Sequence, residues 1–323
     1  MLVNGKWMSD WQPVQAKDEQ GRFIRQTSGF RNWVTPDGSP GPTGEGGFKA
    51  EAGRYRLYVG LICPWASRAL MARKLKGLDD VIPITVVEPV LTSQGWRFGT
   101  YPDADQEPLF GYDYMHQLYT RADPDYSGRA TVPVLWDMQN HVMVNNESAD
   151  IVRMFNSAFD ELVPGRVDLY PQDLAAEIEE LNDALYDSFN NGVYKAGFAS
   201  SQFAYEEAVG GVFGTLDLLE QRLSDGRTYL LGDRLTETDI RAFVTMIRFD
   251  AAYYGLFKTN RKQIADYPFL SAYMERVLRL PGISKTVNLN HIKAGYYSVK
   301  ALNPSGIIPT GPDSVEQLLQ SVG

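Results

Sequence analysis

Apolar and polar residues alternate over residues 54–59: Tyr55, Leu57 and Val59 fall on one side, Arg54, Arg56 and Tyr58 on the other. This two-residue period predicts a strand with one covered face. An alanine- and leucine-rich stretch follows over residues 64–75, and the proline in its first turn predicts a helix beginning at Cys63 or Pro64. β-branched runs at residues 81–87, 131–136 and 142–144 predict three more strands, the last two joined by a turn around Gln139-Asn140. Ser148 is expected to cap a helix over residues 149–155. The order is therefore β-α-β, a long insertion, then β-β-α.

From about residue 170 the pattern is helical. Its clearest signal is Leu235-Thr236-Glu237-Thr238-Asp239-Ile240, where Thr236 and Asp239 have capping-box spacing and Leu235 and Ile240 the spacing of a hydrophobic staple. A helix through Phe243, Met246, Ile247 and Asp250 should follow. Residues 303–312 read as loop, and residues 314–319 as a short terminal helix. The first 52 residues are an irregular lead-in, because the glycines and prolines of residues 38–47 hold neither helix nor strand. Trp11, Phe23, Phe30 and Trp33 nevertheless suggest that this lead-in is an ordered wrapping arm. Three parts result: an arm at 1–52, an α/β domain at 53–165 and an all-α domain at 166–323.

Charge narrows the partners. A net charge of -9 and a pI near 5.0 argue against nucleic acid, which needs a basic face. No apolar run approaches the roughly 20 residues that span a bilayer, and the start lacks the layout of a signal peptide. A single cysteine among 323 residues excludes an intrachain disulfide and a cysteine-rich zinc site, and fits a cytoplasmic, reducing setting. His116, His141 and His291 lack metal-ligand spacing, so no metal is expected.

That cysteine is the sharpest chemical feature. A thiol at a helix start faces unpaired backbone N–H groups and the positive end of the helix dipole, both of which favour thiolate. The motif is Cys63-Pro64-Trp65-Ala66, so alanine occupies the place of a resolving cysteine. Such a nucleophile needs an external thiol to complete a cycle, which points to monothiol chemistry with a small thiol such as glutathione. Val132-Pro133 at the head of a strand matches the cis-proline turn of thioredoxin folds, where a backbone edge pairs with a peptide-like ligand. Glu147-Ser148 opens a helix whose N–H groups and hydroxyl could hold a carboxylate, with Glu147 meeting the ammonium of the same γ-glutamyl group.

These residues, with Gly111-Tyr112-Asp113, the run from Ala130 to Asp137, Asn145-Asn146-Glu147-Ser148, the run from Asn190 to Ala199, His291-Ile292-Lys293 and the run from Asn303 to Pro309, resemble the cytosolic glutathione transferases. The finer resemblance is to the glutathionyl-hydroquinone reductase branch, or Xi class. It implies a thioredoxin-like N-terminal domain plus an all-α C-terminal domain on the aromatic-substrate side. It also implies a homodimer and the glutathione-dependent reduction of glutathionyl-hydroquinones, with glutathione as co-substrate. Carried over by motif, Cys63 forms a mixed disulfide with glutathione. Trp96, Arg97, Val132, Pro133, Glu147 and Ser148 would hold glutathione. Tyr194, Tyr253 and Tyr296 would act on the aromatic ring, and Trp65 and His291 would flank it. Gly295, Leu256 and Thr259 depart from the family pattern, where histidine, histidine and cysteine are expected. An Omega-like thiol transferase or dehydroascorbate reductase would use the same cysteine without the tyrosines. A non-catalytic binding module would need no thiolate-stabilising helix start.

Overall fold

The computed structural model describes residues 1–9, 16–164 and 166–322; Trp11 lies outside them. The chain forms two compact units, Met1–Gln12 with Gln26–Val167, and Pro13–Arg25 with Asp168–Gly323. The lead-in is thus shared between the units, and it holds two short hairpins the sequence did not suggest: β1 (Leu2–Val3) with β2 (Lys6–Trp7), and β3 (Ala16–Lys17) with β4 (Phe23–Ile24).

The first unit is built on a four-stranded sheet. β5 (Tyr55–Val59) leads into α1 (Pro64–Leu75) and β6 (Ile84–Val86); then come α2 (Met115–Ala122), β7 (Val134–Asp137), β8 (Val142–Asn145) and α3 (Ser148–Ser157). The sheet order is β6-β5-β7-β8, with β6 parallel to β5 and the other pairings antiparallel. β6 is shorter than the apolar run around it: Pro83 has no N–H to give a ladder, and only its carbonyl is used, accepting from Leu57 N at 2.9 Å. Both faces of β5 are covered, contrary to the alternation. Tyr58 is fully buried, and its hydroxyl donates to Glu107 Oε1 at 2.8 Å, so the long insertion roofs the second face. Within that insertion α2 went unread, although Met115, Leu118 and Tyr119 form its buried stripe. Helix α3 begins one residue earlier than expected, with Glu147 and not Ser148 as its cap: Glu147 Oε1 accepts from Ala149 N at 3.2 Å.

Lead-in aromatics of this unit are locked in place. Phe30 stacks on Tyr126 at 5.5 Å and meets Tyr119 edge-on at 5.8 Å. A Cβ at Gly41 would fall 2.4 Å from the Trp33 ring, so only glycine passes there. Trp7 stacks on His116 at 4.5 Å and donates from Nε1 to Ser93 O at 3.0 Å, while Gln94 Oε1 lies 3.2 Å from His116 Nε2.

Burial in this stack lowers the His116 pKa to about 4. The unfolded chain, titrating near 6.5, therefore binds more protons than the folded one between these values. The His116 contribution is complete above about pH 6.5 and is lost as pH falls toward about 4. We expect His116→Phe, which keeps a ring on Trp7, to show a smaller loss than wild type between pH 7.5 and 5 in urea unfolding. Equal losses in both proteins would exclude His116 as the source.

The second unit is helical: α4 (Ala175–Leu185), α5 (Gly192–Gly197), α6 (Gln202–Leu223), α7 (Glu237–Arg248), α8 (Tyr254–Leu256), α9 (Pro268–Leu278), α10 (Leu289–Tyr297) and α11 (Asp313–Val322). The expected cap of α7 is present. Asp239 Oδ2 accepts from Thr236 N at 2.8 Å, while its Oδ1 accepts from Leu230 N and the Tyr273 hydroxyl. Leu235 and Ile240 are buried beside it. A first π turn, Tyr186–Asn190, separates α4 from α5; the helix that was expected to run through Asp250 instead stops at Arg248 and widens into a second π turn, Phe249–Tyr253.

Candidate active site

In the first unit the start of α1 and the Val132–Pro133 turn come together. Cys63 is the N-cap, extended at φ -78 and ψ 119, with Pro64 at the first helical position. Its carbonyl already accepts from Ser67 N at 3.0 Å, while its side chain does not cap the helix. The half-buried Sγ instead lies 3.6 Å from Val132 O, to which the thiol can donate. The Val132–Pro133 bond is cis, as expected, and brings that carbonyl to the sulfur from 69 residues away. Trp65 is half-buried, and the Arg68 guanidinium lies over its ring at 4.4 Å.

Two further groups of the same unit were expected to hold glutathione. Ser148 is buried at the first position of α3, and Ser28 donates to Glu147 Oε2 at 2.9 Å, so the Glu147 carboxylate is held at the helix start. Trp96 is half-buried and Arg97 exposed; the backbone of both is fixed, Arg97 O accepting from Glu88 N at 2.9 Å and Trp96 O from Met115 N at 3.0 Å. Arg97 reaches Glu88 at 4.0 Å, a loose surface pair.

In the second unit, three tyrosines from distant parts of the chain join their hydroxyls. Tyr296 Oη lies 2.6 Å from Tyr194 Oη and 2.7 Å from Tyr253 Oη. Tyr194 rises from α5, Tyr253 closes the second π turn and Tyr296 lies near the end of α10. Burial pushes Tyr253 and Tyr296 well above the usual phenol range, so both are neutral hydrogen-bond donors; the Arg248 guanidinium opposes the shift of each. His291 is fully buried on α10, its backbone N–H donating to Asn288 Oδ1, the cap of that helix, at 2.9 Å.

Phe257 supports this cluster and was missed in the sequence. It is buried, stacks on Tyr253 at 5.2 Å and meets Tyr194 and Tyr296 edge-on at 5.4 and 5.7 Å. A Cβ at Gly197 would fall 2.4 Å from Phe257 Cγ, so the glycine of the Lys195-Ala196-Gly197 run admits the ring. Among the described residues no group of three or more His, Cys, Asp or Glu side chains could hold a metal ion, and no helix is long and apolar enough to cross a membrane.

Comparison with known proteins accounts for both units. The family pattern "Glutathione S-transferase, N-terminal domain" matches residues 62–158, and "Glutathione S-transferase, C-terminal domain" matches residues 202–276. The chain is 51% identical over 313 residues to the protein of Escherichia coli named glutathionyl-hydroquinone reductase YqjG, covering 96% of this chain and 94% of that one. The glutathione-bound structure of YqjG matches with a TM-score of 0.89 at 48% identity, covering 96% and 95% of the two chains. Glutathionyl-hydroquinone reductase PcpF of Sphingobium chlorophenolicum is 45% identical over 315 residues, or 97% and 96% of the two chains. The crystal structure of glutathione transferase Xi from Phanerochaete chrysosporium matches with a TM-score of 0.89 at 47% identity, covering 95% of this chain and 98% of that one. With its thioredoxin-like sheet, its helical second unit and this likeness over nearly the whole length, the chain belongs to the glutathionyl-hydroquinone reductase family, the Xi class of glutathione transferases.

Proposed function

We propose that the protein reduces glutathionyl-hydroquinones to hydroquinones through Cys63. The observation that carries this reading is the single cysteine at the start of α1, its sulfur against the Val132 carbonyl, with no second cysteine in the chain to resolve it. The helix N-terminus favours the thiolate. This thiolate attacks the sulfur of the conjugate, the aryl carbon–sulfur bond breaks, and the ring carbon takes up a proton. A glutathionyl–Cys63 disulfide and free hydroquinone result. A second glutathione gives up its thiol proton, attacks the disulfide and leaves as glutathione disulfide, restoring the thiolate. In sum, one conjugate and one glutathione give one hydroquinone and one glutathione disulfide.

Loss of an aryl carbanion is unfavourable, so sulfur leaves more readily from a keto-like tautomer of the ring. The Tyr253 and Tyr296 hydroxyls, kept as neutral donors, and the Tyr194 hydroxyl bonded to Tyr296 suit that task by hydrogen-bonding phenolic oxygens. Trp96, Arg97, Val132, Pro133, Glu147 and Ser148 take the glutathionyl group: a backbone edge for its peptide, a helix start for its carboxylate and Glu147 for its ammonium. Trp65 and His291 are read as flanking the aromatic side. A reducing, cytoplasmic setting and a homodimer complete the reading, the latter checked by sedimentation.

Glutathionyl-menadiol supplied with glutathione tests the reaction. We expect free menadiol and glutathione disulfide to appear in equal amounts. Inactivity on this conjugate together with rapid reduction of a simple glutathione mixed disulfide would establish the thiol-transferase reading instead. The clustered tyrosines favour the first outcome, because mixed-disulfide exchange needs no phenolic donor.

A further inference from the structure

Arg25, in the lead-in, meets the tyrosine cluster from a side the sequence did not suggest. Its guanidinium carbon lies 5.0 Å from the centroid of the Tyr194 ring and 5.2 Å from that of Phe23. Its Nε donates to Asn191 Oδ1 at 2.5 Å. Asn191 immediately precedes α5, and its own N–H closes the first π turn on Tyr186 O at 2.9 Å. One planar cation thus holds both the start of the helix that carries Tyr194 and the face of its ring.

The hairpin presenting Arg25 is itself anchored within this unit. Asp18 Oδ1 accepts from Gln20 N and Arg22 N at 2.9 and 2.8 Å, shaping the turn between β3 and β4. The Arg22 side chain pairs with Glu207 on α6 at 2.6 Å, and Ser201 Oγ donates to Gln20 O at 2.7 Å. Phe23 is buried and lies 6.2 Å from Phe198, which in turn stacks with Tyr194 at 6.4 Å. Such anchoring is far more than a surface arginine needs.

We propose that Arg25 is a positioning residue for Tyr194: it fixes the orientation of the phenol and, by placing positive charge on the ring face, makes its hydroxyl a stronger hydrogen-bond donor. A cation over a ring is drawn to its negative face, and more strongly to the electron-rich phenolate than to the phenol. It therefore favours release of the hydroxyl proton. Arginine suits this role because it is always charged and stacks through its plane. Other titratable or charged groups near Tyr194 include the Tyr296 and Tyr253 hydroxyls, the buried Arg248 whose charge acts on both of those tyrosines, and the ion pair of the neighbouring Lys195 with Asp187. All remain when Arg25 is replaced, so they set the background against which its effect is read. The catalytic consequence rests on the aromatic-substrate reading above; the effect on Tyr194 does not.

The test places 3,5-difluorotyrosine at position 194 of the full chain and follows its fluorine resonances against pH, since fluorination brings the phenol into a range the fold tolerates. We expect the midpoint to rise by about half a unit in Arg25→Gln, consistent with a half-buried cation–π contact. Arg25→Lys keeps the charge and should lie between wild type and Arg25→Gln. In the unlabelled enzyme, kcat for the glutathionyl-hydroquinone should fall about 5-fold in Arg25→Gln with a smaller change in KM. A folded Arg25→Gln protein with an unmoved midpoint, or an Arg25→Lys protein indistinguishable from it, would overturn the proposal. Should Arg25→Gln not fold, Phe23→Leu loosens the same guanidinium without removing it and must still raise the midpoint. If wild type proves inactive on aromatic conjugates, the substrate reading fails while the fluorine titration still decides the role of Arg25.

Discussion

Replacing Cys63 by alanine is expected to lower hydroquinone release from glutathionyl-hydroquinones by about 10^3-fold or more, because a covalent path loses its only nucleophile. No second cysteine exists to take over. Cys63 is half-buried and its side chain does not cap α1, so the substitution removes little packing and no cap. Its thermal melt should therefore stay near that of wild type, which separates lost chemistry from lost fold. Serine should behave like alanine, since its hydroxyl stays protonated where a thiol ionises. Leaving glutathione out of the wild-type reaction gives a complementary result. One equivalent of hydroquinone should appear per chain and then stop, with one glutathionyl unit on Cys63 by mass spectrometry. Continued turnover without glutathione, or appreciable activity in Cys63→Ala, would refute the mixed-disulfide path.

Tyr296→Phe should have the next largest effect. Its hydroxyl is the one bonded to both Tyr194 and Tyr253 at 2.6 and 2.7 Å, so its loss breaks the centre of the cluster and leaves a buried gap. We expect kcat for glutathionyl-hydroquinones to fall roughly 10–100-fold, the scale of a lost proton donor, and stability to fall by about 1–3 kcal/mol from the broken buried hydrogen bonds. A simple glutathione mixed disulfide has no phenolic oxygen, so its reduction should change little. Equal losses on both substrates would assign Tyr296 to the handling of Cys63 or of glutathione, and an unchanged kcat would remove it from the site altogether.

Legibility in the sequence followed the range of the interactions. The start of α1 and the cap of α7 were readable because proline at a first turn, and Thr236 with Asp239, act within three or four residues. β6 was overread because an apolar run does not reveal which backbone groups find a ladder partner. The burial of Tyr58 depended on Glu107, 49 residues away, and α2 was hidden in a stretch rich in glycine, proline and aspartate. The tyrosines came from resemblance alone. The contacts that join them span 43 and 102 residues, and no local period reports such distances. Arg25 was missed for the same reason, as part of the arm at 1–52.

Each π turn also gives the site a helical phase. A π turn holds one residue more than the α-helix it interrupts, and one residue is about 100° of rotation. Tyr253 ends one such turn, and Asn191 follows the other directly. Deleting a single residue from Phe249–Tyr253 could restore an unbroken helix, yet it would swing Tyr253 about a quarter-turn off its heading toward Tyr296. These segments should therefore tolerate a change of residue better than a change of length. A relative one residue shorter there would carry a differently aimed phenol behind a closely similar fold.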